Sequence, residues 1–118
     1  MTQPAAEFAA FDHLATMIAV VDAEGSCLFA NSAFEAALGL PRRLVLTSPV
    51  FDWFVDPKAL RDTVAAVAGN TFATSRIEAR LRAHGAAGSE LLDVLAIVTQ
   101  MDRGERLVIE LLEVQQQA

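Results

Sequence analysis

A single cysteine, Cys27, and two histidines, His13 and His84, are the side chains from which nucleophilic or metal chemistry would have to start. Cys27 stands beside Leu28 and Phe29, a setting in which a thiol is buried and inert. One cysteine allows neither an intrachain disulfide nor a thiolate metal cluster, and a reducing compartment fits. Neither histidine has a second histidine or a cysteine at ligand spacing. His13 ends a helical segment, where its partial charge suits the dipole, and His84 falls in the exposed position of a turn. Serines and threonines are scattered, with no Gly-x-Ser-x-Gly elbow to present one. Gly85 and Gly88 join two strands and do not open a helix, so they form no phosphate loop. The carboxylates fall in turns, caps and exposed faces, which leaves no acid–base pair. No catalytic residue, metal ligand or cofactor is therefore expected. A small α+β enzyme, such as a cone-shaped isomerase, would need inward-facing acids that are not found.

Composition points the same way. The 118 residues suit one domain able to bury about two-thirds of its unfolded surface in a single core. With 53% hydrophobic and 20% charged residues, some apolar surface should remain once the core is filled, which favours a partner interface. A formal net charge of -6 disfavours nucleic acid and anionic membranes as partners. The first twenty residues carry Glu7 and Asp12 and no Lys or Arg, unlike a signal peptide. No apolar run approaches the roughly 18 residues needed to span a bilayer, so a cytoplasmic chain is expected.

The elements that must position these residues follow from periodicity. Residues 1–4 are expected to be loose. Ala5 to Leu14 carries Phe8, Phe11 and Leu14 at a spacing of three, a helical stripe. It either caps the edge of the domain's own core or packs against the same helix of a second copy. Met17 to Val21 is a β-branched apolar run. Asp22-Ala23-Glu24-Gly25 turns it, with Gly25 free to take positive φ, and Ser26 to Ala30 returns. Asn31 or Ser32 then opens a helix; Ser32 and Glu35 have capping-box spacing, and Gly39 and Pro41 end it. Phe34 and Leu38 lie four apart on its apolar face. Leu44 to Val55 reads as irregular, with Phe51, Trp53 and Phe54 filling core or walling a small ligand pocket. Asp56-Pro57 caps a second helix with the stripe Leu60, Val64 and Val67, closed by Gly69-Asn70.

Three strands complete the chain. Phe72 to Ala83 alternates Ile77, Ala79 and Leu81 against Arg76, Glu78, Arg80 and Arg82, a half-buried strand. In Ser89 to Met101 both alternating sets are apolar: Leu91, Leu95 and Ile97 on one side, Leu92, Val94 and Val98 on the other. After the turn Asp102 to Glu105, Arg106 to Val114 is again largely two-sided, with Leu107, Ile109 and Leu111 against Val108, Leu112 and Val114. Strands apolar on both faces need cover on both. Helices can supply one side; the N-terminal helix or another subunit must supply the other. Five strands with helices only in the middle make an α+β fold, an antiparallel sheet with helices packed on one face.

The run I-x-V-V-D-A-E-G-x-x-x-x-A-N-x-A-x-x-x-x-L-G over Ile18 to Gly39 resembles the opening of a PAS (Per-Arnt-Sim) sensor domain. The resemblance extends over Phe8 to Glu113 and implies the sheet order 2-1-5-4-3. The late L-V-I-E-L-L-E-V segment resembles the N-terminal sensor domain of nitrogen-regulation histidine kinases of the NtrB type. On that resemblance, residues 5–114 form the PAS domain, and Gln115-Gln116-Gln117-Ala118 starts a connector helix to a kinase part outside this sequence. The phosphoacceptor histidine box and the nucleotide loop are absent from these 118 residues. Haem-binding relatives use a histidine of the long central helix, and Asp56 to Gly69 has none. Flavin-binding relatives carry a cysteine in the short helix after Asn31, which is also lacking. Organic-anion sensors turn basic clusters inward, where only Lys58 and Arg61 are on offer. The Asp-Ile-Thr step that ends many relatives is Glu113-Val114-Gln115 here.

The resemblance implies a regulatory homodimer that passes a signal to its kinase, with the PII signal protein and a response regulator as further partners. The candidate dimer interface is Phe8, Phe11, Leu14, Val98, Val108 and Leu112. The alternative is a small-molecule sensor with a pocket between sheet and helices, lined by Phe34, Leu38, Phe54, Leu60 and Val64.

Overall fold

The computed structural model describes residues 8–69, 74–85 and 88–114. The expected start at Ala5, Asn70, Phe72, Ala86-Ala87 and the 115–118 connector lie outside them. Five strands form one antiparallel sheet: β1 Met17–Asp22, β2 Cys27–Ala30, β3 Thr74–Gly85, β4 Gly88–Met101 and β5 Arg106–Glu113. Their order is β2-β1-β5-β4-β3, as expected. Between β2 and β3 come α1 Ser32–Leu38, α2 Arg42–Leu46, a 3₁₀ turn Val50–Trp53 and α3 Pro57–Ala68, all packed on one face. The segment expected to be irregular therefore contains two short helical pieces.

The first hairpin turns where Asp22 Oδ1 accepts from the backbone N–H groups of Glu24 and Ser26. Gly25 has φ +89, and a Cβ there would lie 2.2 Å from the Phe51 ring, so both its backbone angle and its neighbour demand glycine. Val20 pairs with Phe29 while Val21 pairs with Cys27, so the ladder skips Leu28. That bulge turns Cys27 toward the helices and Phe29 to the opposite face. α3 starts as its sequence requires, with Asp56 accepting from Ala59 N–H and Pro57 in the first turn. Its last carbonyls, of Val67 and Ala68, accept from the Gln100 amide on β4.

Three expectations are corrected. The N-terminal helix is only a 3₁₀ turn, Ala9–His13. A spacing of three is the 3₁₀ repeat itself, in which side chains at i and i+3 eclipse, so Phe8 and Phe11 share a face without any longer helix. The cap of α1 is Asn31, whose side chain accepts from Phe34 N–H; Glu35 closes no capping box and pairs with Arg42 instead. Val98 belongs to the helix side of β4, fully buried in the main core. It cannot serve a dimer interface, because alternation puts Leu91, Leu95 and Ile97, not Val98, on the other face.

Candidate functional site

The five residues expected to line a pocket do come together. Phe34 and Leu38 of α1, Leu60 and Val64 of α3 and Phe54 before α3 join one cluster with Val94, Val98, Leu107 and Ile109 from the sheet. The small side chains of Ala19, Ala30 and Ala96 beneath them let large ones interdigitate. They form packed core. A cleft of about 370 Å³ opens elsewhere, lined by residues including Val55, Glu78, Arg80, Asp93 and Val114. A smaller one of about 170 Å³ lies beside Cys27, Leu46 and Pro49. None of the five lines either. In the larger cleft Arg80 Nε donates to Asp93 at 2.8 Å, and Val114 N–H donates to the Asp93 carbonyl.

Burial pushes the Cys27 thiol up to about 11, partly offset by a hydrogen bond with the Phe29 backbone; the thiol itself donates to the Phe29 carbonyl at 3.5 Å. At neutral pH it is a protonated, inert thiol. Among the described residues no group of His, Cys, Asp and Glu is arranged to hold a metal ion, and no helix is long and apolar enough to cross a membrane.

What the structure does build is a junction at Asn31, the one buried polar side chain among the described residues. Its Oδ1 accepts from Ile18 N–H and Phe34 N–H, each at 3.0 Å. Its Nδ2 donates to the Phe11 carbonyl at 2.9 Å and the Thr16 carbonyl at 2.7 Å. All four amide hydrogen-bonding positions are used, so one residue ties the N-terminal turn, β1 and α1 together. Asp12 adds to the tie by accepting from the Ser32 backbone and hydroxyl and from Arg42, which also holds Glu35 at 2.6 Å. Those carboxylates, Glu35 first, raise the Arg42 pKa. Sequence reasoning noticed the Asn-x-Ala step but gave Asn31 no such role. The available signal was an amide between an apolar strand and an apolar helix, where burial demands partners.

The N-terminal turn lies across the outer face of the sheet. Phe8 packs on Val20 and Phe29, with Phe11, Met101 and Val108 around them. The Phe8 and Phe29 rings are 5.5 Å apart, and Arg106 and Arg42 sit over Phe8 and Phe29 respectively. Phe8 therefore spends its apolar surface within the protomer, the edge-capping alternative, while Phe11 is half-buried and Leu14 remains 48% exposed. Among the described residues the turn covers β1, β2 and the Val108 end of β5. Over β5, β4 and β3 the outer face carries Leu112 at 41% and Leu91 at 56% exposure, with Leu95 and Ile97 half-buried. Leu112 thus lies on the open face, and Val108 lies at its border beside the turn. Leu91, Leu95 and Ile97 were left out of the expected surface, although their alternation had separated them from Val98.

A family model described as a PAS domain matches residues 8–71. No curated protein matches the chain. Among solved structures, the PAS domain of an HTR-like protein from Haloarcula marismortui is 19% identical, with a TM-score of 0.75 over 93% of this chain and 96% of that one. A domain of a sensory box sensor histidine kinase/response regulator from Geobacter sulfurreducens is 26% identical, with a TM-score of 0.70 over 92% of each chain. The PAS domain of nitrogen regulation protein NR(II) from Vibrio parahaemolyticus is 13% identical, with a TM-score of 0.65 over 97% of this chain and 100% of that one.

Proposed function

The chain belongs to the PAS domain family, and from that membership we propose that it is the regulatory and dimerisation module of a nitrogen-regulation sensor histidine kinase. Residues 5–114 form the sensor domain and 115–118 begin the connector to the kinase. The observation that carries this reading is the open outer face of β3, β4 and β5, with Leu91 and Leu112 exposed beside the half-buried Leu95 and Ile97. An apolar face of this kind suits holding two chains together. The helix side is filled, which supports signalling through geometry over signalling through a bound metabolite.

In this reading the N-terminal turn and the last strand are the mechanical terminals. Asn31 and Asp12 fix the turn to the sheet, and the Val114–Asp93 hydrogen bond fixes the exit of β5 to β4. A regulatory protein such as PII, bound elsewhere on the kinase, changes the geometry of the pair, and a response regulator receives the phosphoryl group. Sedimentation equilibrium tests the premise: a dimer with Kd on the order of 10 µM or tighter is expected. A chain that stays monomeric well above that concentration overturns the reading.

A further inference from the structure

One row of outward side chains crosses three strands: Arg76 on β3 pairs with Ile97 on β4, and Ile97 pairs with Glu110 on β5. Adjacent strands lie about 4.8 Å apart, so the backbones of the two charged residues flank that of Ile97 at equal distances. Beyond Glu110 the row continues into Ile18 of β1, which is buried. Glu110 is therefore a half-buried carboxylate in an apolar row. Neither it nor Arg76 has an ion-pair or side-chain hydrogen-bond partner among the described residues.

Opposite charges equally spaced about an apolar centre are self-complementary under one operation, a twofold axis running along β4 through Ile97. That axis turns a second sheet face-down and lays its β3 over β5 and its β5 over β3. Each Arg76 then stands opposite the partner's Glu110, and the two Ile97 side chains meet at the axis. An in-plane axis perpendicular to the strands at the same row would set Arg76 on Arg76 and Glu110 on Glu110, which like charges oppose. The neighbouring rows agree. Leu95 is flanked by Glu78 and Leu112, and Asp93 by Arg80 and Val114. The same operation places the stems of Glu78 and Arg80 over the partner's Leu112 and the partner's Val114. It also brings Asp93 toward the partner's Asp93 at the axis, where each carboxylate is already held by Arg80 of its own protomer at 2.8 Å. Among the described residues the N-terminal turn covers β1, β2 and the Val108 end of β5, so the open face spans β3, β4 and the rest of β5, and its middle strand is the axis strand.

We infer that a second copy of this chain docks on the outer face with β4 along the twofold axis, and that the Arg76–Glu110 pair, formed twice, sets the register. This rests on the homodimer reading above. The test is sedimentation equilibrium of the whole chain as wild type, Glu110→Arg, Arg76→Glu and the double exchange, with circular dichroism to verify folding. Each single exchange should weaken the dimer about tenfold or more, and the double exchange should return Kd to within about threefold of wild type. If Glu110→Arg fails to fold, Glu110→Gln and Arg76→Gln take its place, and each should weaken the dimer less than its charge reversal. A wild-type dimer left unchanged by both single substitutions, or not restored by the double exchange, overturns the register and leaves the dimer standing. A monomeric wild type overturns both.

Discussion

The two faces of the sheet are built from the same strands and nearly the same kinds of side chain, yet only one is closed. Toward the helices, Ala19, Val94, Ala96, Val98, Leu107 and Ile109 meet Phe34, Leu38, Phe54, Leu60 and Val64 and are fully buried or nearly so. On the opposite side Ile18 and Val20 are just as buried, but Leu95, Ile97 and Leu112 are not. Strand hydrophobicity does not account for that difference; the connections do. Among the described residues the helices of the β2–β3 crossing fall on one side, and the other receives the short turn around Phe8 and Phe11. A strand can thus carry two apolar sets while the described residues seal one of them and part of the other.

Substitutions on the two faces should separate accordingly. Phe34→Ala, in the sealed face, should lower stability by about 3–5 kcal/mol in urea denaturation. A loss below about 1 kcal/mol would mean that the helix side is not tightly packed. Asn31→Ala should destabilise by about 3 kcal/mol, because Ile18 N–H and the Thr16 carbonyl lose their Asn31 partner, while Phe34 N–H and the Phe11 carbonyl each lose one of two. Hydrogen exchange should quicken at Ile18 and Phe34 together; protection lost at only one would break the idea of a shared junction.

Cys27 gives a smaller effect with a definite sign. Its folded pKa is raised above the ordinary thiol value of 9.0, to about 11. The thiol is protonated in both states below about 9, so its stabilising contribution is fully present there. Above that, the unfolded chain ionises first, and the contribution falls away as pH rises through 9 toward 11. The wild type should therefore lose about 2 kcal/mol more than Cys27→Ala between pH 8 and pH 11. Equal losses would place the thiol in water. Leu112→Ser, on the open face, should change protomer stability by less than about 0.5 kcal/mol while weakening self-association. If it unfolds the chain as Phe34→Ala does, the contrast between the faces disappears.

Local signals in the sequence reach as far as local physics does. Alternation in β3, β4 and β5, the Asp56-Pro57 start of α3 and the Gly25 and Gly39 breaks each act within a few residues, and the structure has them all. Asn31 was out of reach because its partners, Phe11 and Thr16, are distant in sequence and become neighbours only once the turn lies across the sheet. Glu35 was misread for the same reason: capping-box spacing competes with a tertiary partner, Arg42, which wins with two hydrogen bonds from one guanidinium. The core-or-pocket question at Phe34 and Leu60 turns on volume, and apolar periodicity carries no measure of volume.

Both rims of the sheet are partly occupied by the chain itself. Pro49 bridges to Ser26 just before β2, and Phe54 bridges to Leu81 in the middle of β3, where Val55 N–H also donates to the Arg80 carbonyl. A foreign ribbon seeking to lengthen the ladder meets a proline at one rim and a resident backbone at the other. Copies of this molecule are thereby steered away from growing side by side into a filament and toward stacking, an arrangement that closes on itself after two.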